Sequence, residues 1–163
     1  MPEKAAACAP PSTVSLTYPQ IMDVFAQYVA EERPKLQAPA DVAALMRPLL
    51  TGKRQEEFHV LLLDTKHRLI HDHIATVGLV DRSQIHSRSV FRAAIQHTCS
   101  RIILVHNHPS GDATPSNQDI ACTRELVAAG KIVGIEILDH LVIGEKTVQK
   151  PKYWLSFREE GLM

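Results

Sequence analysis

The run His106-Asn107-His108, followed by Ser116 and Asp119, gathers two imidazoles, a hydroxyl and a carboxylate in one short stretch. Side chains two apart on an extended segment point the same way, so both imidazoles can meet one ion. With Thr114 capping a new helix and Pro115 at its first position, Ser116 and Asp119 share a face of its opening turns. The resulting His-x-His-x7-Ser-x2-Asp pattern offers two nitrogens and a carboxylate of the kind zinc accepts, and leaves a fourth tetrahedral position for water. At this chain's own His, Ser and Asp frequencies the full pattern arises by chance about one time in a thousand. A bare His-x-His is a weak signal. His71-Asp72-His73 has the same local spacing, no carboxylate at the matching distance downstream, and reads as an exposed strand face.

Around these groups lie the elements that must hold them. RIILV, Arg101 to Val105, is a buried strand that delivers His106 and His108 at its end. EFHVLLLD, Glu57 to Asp64, is a second buried strand, and Thr65 to His67 turn it into RLIHDHIATVG as a hairpin. SRSVFRAAIQHTC sets Val90, Phe91, Ala94 and Ile95 on one helical face after a Ser-rich start that can cap NH groups. The loop HNHPSGDATPSNQD leads into a helix carrying Ile120, Leu126 and Val127, and then into GIEILDHLVIG. Upstream, Ile21, Val24, Phe25 and Tyr28 mark an amphipathic helix from Tyr18 to about Glu32. A second begins at Asp41 as N-cap, runs through Val42, Leu45 and Met46, and stops at Pro48 and Gly52. Residues 1–16 read as a flexible tail, 17–39 as a helical lead and 40–163 as the metallo-domain. With no repeat of fixed period, the alternation predicts a three-layer α/β domain, helices covering a mixed β-sheet, while the order of the strands is not readable from spacing.

The 163 residues, 45% hydrophobic and 22% charged, are an ordinary globular composition, enough for one domain whose core needs no disulfides. Lys plus Arg and Asp plus Glu balance at 18 each, so the whole molecule offers no strong field to nucleic acid or anionic lipid. No stretch is apolar for long enough to span a membrane, and MPEKAAACAPPS lacks the core of a signal peptide. Cys8, Cys99 and Cys122 show no CxxC spacing and fit free thiols in a reducing cytoplasm. Apolar helical faces within residues 18–50 suit a homodimer contact as readily as a core.

HNHPSGDATPSNQD, with VLLLD upstream and LDHLVIG downstream, closely resembles the RadC family of JAMM (MPN+, or JAB) domains over roughly residues 40–163. The resemblance implies a cytidine-deaminase-like fold, Zn2+ held by His106, His108 and Asp119, a polarising role for Ser116, and an upstream glutamate as base. QEEFHVLLLD offers Glu56 and Glu57, which face opposite sides of a strand. The family spacing, eight positions before the strand's closing aspartate Asp64, falls on Glu56. His140 in LDHLVIG is either a hydrogen-bonding support for the ligands or a satisfied strand histidine, and the second reading is preferred. Ser110 and Asp112 are residues that turns need, and are not assigned to the site. The implied activity is hydrolysis of a peptide or isopeptide-like amide in a peptide or protein substrate. Zinc acidifies a water, Glu56 carries its proton to the leaving amine, and zinc with Ser116 stabilises the oxyanion.

Two other readings stand beside it. RadC-like proteins carry a DNA-repair name, which suggests a repair or mobile-element-associated factor, although the neutral charge balance argues against strong DNA affinity. Many MPN domains act as non-catalytic binding modules, but those lack the ligands that are complete here. The letters His106-Asn107-His108 do not make an HNH nuclease, whose residues are spread along a ββα-metal motif. Two departures from the family stand out. Only a short helical lead without a glycine hairpin stands where the family has a helix-hairpin-helix region, so a short form is expected. HSRSVF places Ser87 and Ser89 where the family tends to have Pro and Glu around the arginine.

Overall fold

The computed structural model of the chain describes residues 17, 19–20, 33–78, 85–146 and 152–163. The tail expected over residues 1–16 and most of the helix expected from Tyr18 to Glu32 lie outside them. The chain divides into two compact units, residues 1–32 and 33–163, and every element named below belongs to the second.

Five strands form one sheet: β1 Glu57–Leu63, β2 Leu69–Val77, β3 Arg101–Asn107, β4 Glu136–Ile143 and β5 Trp154–Ser156, in the order β2-β1-β3-β4-β5. β1 runs antiparallel to both β2 and β3, β3 and β4 are parallel, and β5 returns antiparallel on β4. The central position of β1 and β3 explains their unbroken apolar letters, since a strand covered on both faces has no polar side to show; every residue of β1 is buried. Edge strand β2 is partly exposed along its length. The β1–β2 turn is held by Asp64, whose Oδ1 accepts from the backbone N–H of Lys66 and of Arg68.

Helix α1, Pro39–Leu50, buries Val42, Ala43, Met46 and Leu50 on one sheet face, against Leu61, Leu63, Ile103, Val105 and Leu141. On the other face Phe58, Val60, Leu62, Ile102 and Leu104 meet α2, Ser87–Gln96, through Val90, Phe91 and Ala94, and α3, Asn117–Val133, through Cys122 and Leu126. The result is the expected three-layer α/β arrangement around a mixed sheet. The apolar stripe of α1 is thus spent on the core.

Two helix-end details differ from the sequence reading. Asp41 is not the N-cap of α1: the helix starts at Pro39, and Asp41 reaches back so that Oδ2 accepts from the N–H of Gln37 and of Ala38. Pro48 does not stop the helix either. It forgoes one hydrogen bond in the last turn, and the helix continues to Leu50, closed by Thr51, whose N–H and Oγ1 both donate to the Arg47 carbonyl.

Because α3 connects the parallel strands β3 and β4, its N-terminus rises beside the C-terminal end of β3. In open α/β sheets this is where sites form, and it is where His106 and His108 stand. Among the described residues, no helix is long and apolar enough to cross a membrane, and Cys99 and Cys122 are buried cysteines outside any disulfide. Cys8 lies outside the described residues.

Candidate metal centre

His106, at the end of β3, and His108, just beyond it, direct their Nε2 atoms to within 3.0 Å of each other. The His108 N–H donates to the Ile143 carbonyl at 2.9 Å, which carries the parallel pairing one step past the strand and keeps both imidazoles on one side. Asp119 enters from the first turn of α3, with Oδ1 3.6 Å from His106 Nε2 and Oδ2 3.6 Å from His108 Nε2. One ligand atom from each of the three lies within 4.8 Å of the others, the one such group among the described residues able to hold a metal ion.

Asp119 is held by Ser116. The Ser116 N–H and Oγ–H each donate to Asp119 Oδ2 at 2.7 Å, and Ser116 Oγ accepts from the Asp119 N–H at 3.1 Å. This reciprocal capping box makes Ser116 the N-cap of α3. It corrects the expected cap at Thr114, whose N–H and Oγ1–H instead close a turn on Asp112 Oδ1. Ser116 and Asp119 are brought together all the same.

The tautomers of both histidines follow from their partners. Thr123 Oγ1 has a single proton and gives it to the Asp119 carbonyl oxygen at 2.6 Å. Toward His140 Nδ1, also 2.6 Å away, it can only accept, so that nitrogen carries the proton. His140 Nε2 is then an acceptor for His106 Nδ1–H at 2.8 Å, and His106 Nε2 is left as a bare lone pair. His108 Nδ1 donates to the Asp112 carbonyl at 2.7 Å, which leaves its Nε2 bare as well. Two lone pairs and a carboxylate facing one point are the complement of a cation, and the cluster can hold a metal ion.

Charge reinforces the arrangement. Burial alone would raise the Asp119 carboxyl, but the rings of His106 and His108 and the Ser116 hydroxyl outweigh it and hold the carboxyl far below its usual range. Burial would lower His108; the adjacent Asp119 carboxylate, the Asp112 carbonyl and the nearby charge of Glu56 raise it. His140, fully enclosed, is driven well below its ordinary value by burial and by His106, and stays neutral as its acceptor role demands. Phe58 and Phe157 flank its ring at 5.4 and 4.6 Å between centroids.

His140 therefore does more than satisfy a strand. The plainer role is the one the sequence alone favours; the partners, His106 and Thr123, are 34 and 17 residues away along the chain. One signal was available: a histidine inside an apolar strand needs a buried partner, and the neighbouring strand carries one.

The two glutamates separate. Glu57 lies on the sheet face away from the cluster, its Oε1 2.9 Å from Lys53 Nζ and its Oε2 3.3 Å from His59 Nε2. Glu56 precedes β1 on the side of Phe58, which is paired with His106 in the sheet and stacks on its ring. His71-Asp72-His73, expected as an exposed strand face, falls on edge strand β2 with His71 exposed and Asp72 and His73 half-buried; the Asp72 carboxylate accepts from His59, and His71 stacks on His97. A cavity of about 370 Å³ opens beside His108, lined by Thr51, Lys53, Arg54, Asn107 and Glu145 among others.

Comparison with known proteins agrees with this geometry. The family model of the RadC-like JAB domain matches residues 36–162. A UPF0758 protein of Methanosarcina mazei is 38% identical over 136 residues, 83% of this chain and 57% of the relative. A UPF0758 protein of Chloroflexus aggregans is 43% identical over 132 residues, 81% of this chain and 55% of that one. A Bacillus cereus UPF0758 protein is 40% identical over 131 residues, 80% and 56% of the two chains. The chain thus spans a little over half the length of these curated relatives.

Proposed function

Since the chain belongs to the RadC-like JAB-domain family, we propose that it is a zinc-dependent hydrolase of the JAMM type, cleaving a peptide or isopeptide-like amide. The carrying observation is the fixed pair of bare Nε2 atoms opposite Asp119. Tetrahedral zinc with bonds of about 2.0–2.1 Å sets neighbouring ligand atoms roughly 3.3 Å apart; the two Nε2 atoms stand 3.0 Å apart, each has one Asp119 oxygen at 3.6 Å, Oδ1 for His106 and Oδ2 for His108, and one ligand atom from each residue lies within 4.8 Å of the others. His106, His108 and Asp119 would hold the ion, leaving one position open. Zinc bound there supplies a Lewis acid that acidifies water and polarises a carbonyl.

The chain's own residues do the rest. Glu56 takes the proton of the attacking water as its oxygen bonds to the carbonyl carbon, then delivers that proton to the amine as the C–N bond breaks. Its place before β1 on the side of Phe58 and its influence on His108 support this role over Glu57, whose carboxylate turns to Lys53 and His59 on the opposite face. Ser116 Oγ–H, now donating to Asp119, turns to the developing oxyanion, while the Ser116 N–H keeps Asp119 in place. The buried cysteines outside any disulfide support a reducing, cytoplasmic setting.

The test is turnover of a panel of peptide and isopeptide amides by the zinc-loaded chain and by Glu56→Gln. The expected outcome is cleavage by the wild type and a loss of about 10²- to 10⁴-fold in the variant with zinc retained. Cleavage that survives Glu56→Gln undiminished contradicts the role of Glu56, and no cleavage of any amide favours a non-catalytic binding module.

A further inference from the structure

Asn107 stands between the two histidines but points to the other side of the strand, is 3% exposed, and takes no part in the metal cluster. Its side-chain amide crosses to the start of β1. Oδ1 accepts from the Glu57 N–H at 2.8 Å, and Nδ2 donates to the Gln55 carbonyl at 3.1 Å. These are the peptide groups on either side of Glu56.

The need for such a clamp follows from the register. The β1–β3 pairing runs from Leu63 opposite Arg101 to Phe58 opposite His106 and ends there. Glu56 and Glu57 lie past the last rung on that side, where a strand end would fray. From the β2 side the Gly78 N–H donates to the Glu56 carbonyl at 2.8 Å. The Asn107 amide supplies the missing rung on the β3 side. Asparagine suits it because one short side chain offers both an acceptor and a donor.

We infer that Asn107 is the positioning residue for Glu56, clamping the backbone on both sides of it from the strand that carries the metal-binding histidines. Part of this rests on the proposed hydrolytic role of Glu56; the clamp itself does not. The same residue that separates the two imidazoles thereby ties the base to the ligands, so that a shift of β3 moves both together.

The experiment compares wild type, Asn107→Leu, which is near in size and makes neither bond, and Asn107→Asp, which keeps the acceptor and loses the donor. Three quantities are read: amide exchange at Glu57, zinc per chain, and kcat and KM on any amide the wild type cleaves. The wild-type Glu57 amide is expected to be protected, and about tenfold or more less so in Asn107→Leu, with Phe58 to Leu63 and zinc content unchanged. kcat falls about tenfold or more with KM within about twofold, and Asn107→Asp lies between. An unprotected Glu57 amide in the wild type overturns the clamp even if neither variant folds. So does unchanged Glu57 exchange in Asn107→Leu, while loss of the clamp with undiminished kcat overturns the positioning role. A wild type that cleaves no amide counts against the hydrolase, and Glu57 exchange then still decides the clamp.

Discussion

At the level of single residues, the centre is a set of protonation states fixed by neighbours. His140 is decisive, because its one acceptor nitrogen determines which nitrogen of His106 is bare. His140→Phe would fill much of the space between Phe58 and Phe157 but leave the His106 N–H buried without a partner. Zinc affinity is expected to fall about 10- to 100-fold, measured by competition with a chromogenic chelator; unchanged affinity would mean that His106 needs no such support. His106, His108, Ser116 and Asp119 were legible in the sequence because they are close along the chain and their spacing carries the geometry. His140, Thr123 and Asn107 were not, since their roles arise only when β3, β4 and the start of β1 are laid side by side.

At the level of elements, the strands and helices were legible from their apolar runs, and their ends were not. Thr114 and Ser116 are equally good capping residues by type; Asp119 at the third position of α3 selects Ser116, since only that spacing closes the reciprocal bonds. β5, three residues long, has too few letters to show a period. β1 adds a polar bracket on the sheet face away from the centre: Lys53, Glu57, His59 and Asp72 in sequence of contact. Burial would lower His59, but its bonds to Asp72 and Glu57 outweigh that and raise it. Burial would raise Glu57, but Lys53 and His59 bring it down. The raised His59 gives stability that is complete below its ordinary 6.5 and is lost as pH rises through its folded value. The depressed Glu57 gives stability that is complete above its ordinary 4.5 and is lost as pH falls through its folded value. The bracket is therefore strongest between those two values. In denaturant unfolding, His59→Gln is expected to cost more stability near about pH 6 than near about pH 9; an equal cost at both would show that His59 is not charged in the folded protein.

For the molecule as a whole, the balance of 18 basic and 18 acidic residues and the three-layer architecture were plain from composition and alternation. The strand order was not, because a β3–α3–β4 crossover and a β1–β2 hairpin can be assembled in more than one order. The β1–β3 pairing sets the start of β1, which Glu56 precedes, beside the end of β3 that carries His106. The hydrolytic role requires that this centre hold zinc. The direct measurement is elemental mass spectrometry of the purified chain beside His106→Ala/His108→Ala and Asp119→Ala, each after exposure to Zn2+ and removal of the excess. The expected result is one zinc per wild-type chain and none in either variant, with the fold checked by circular dichroism. A folded wild type that binds no zinc, or variants that keep it, would contradict the assignment of these three residues.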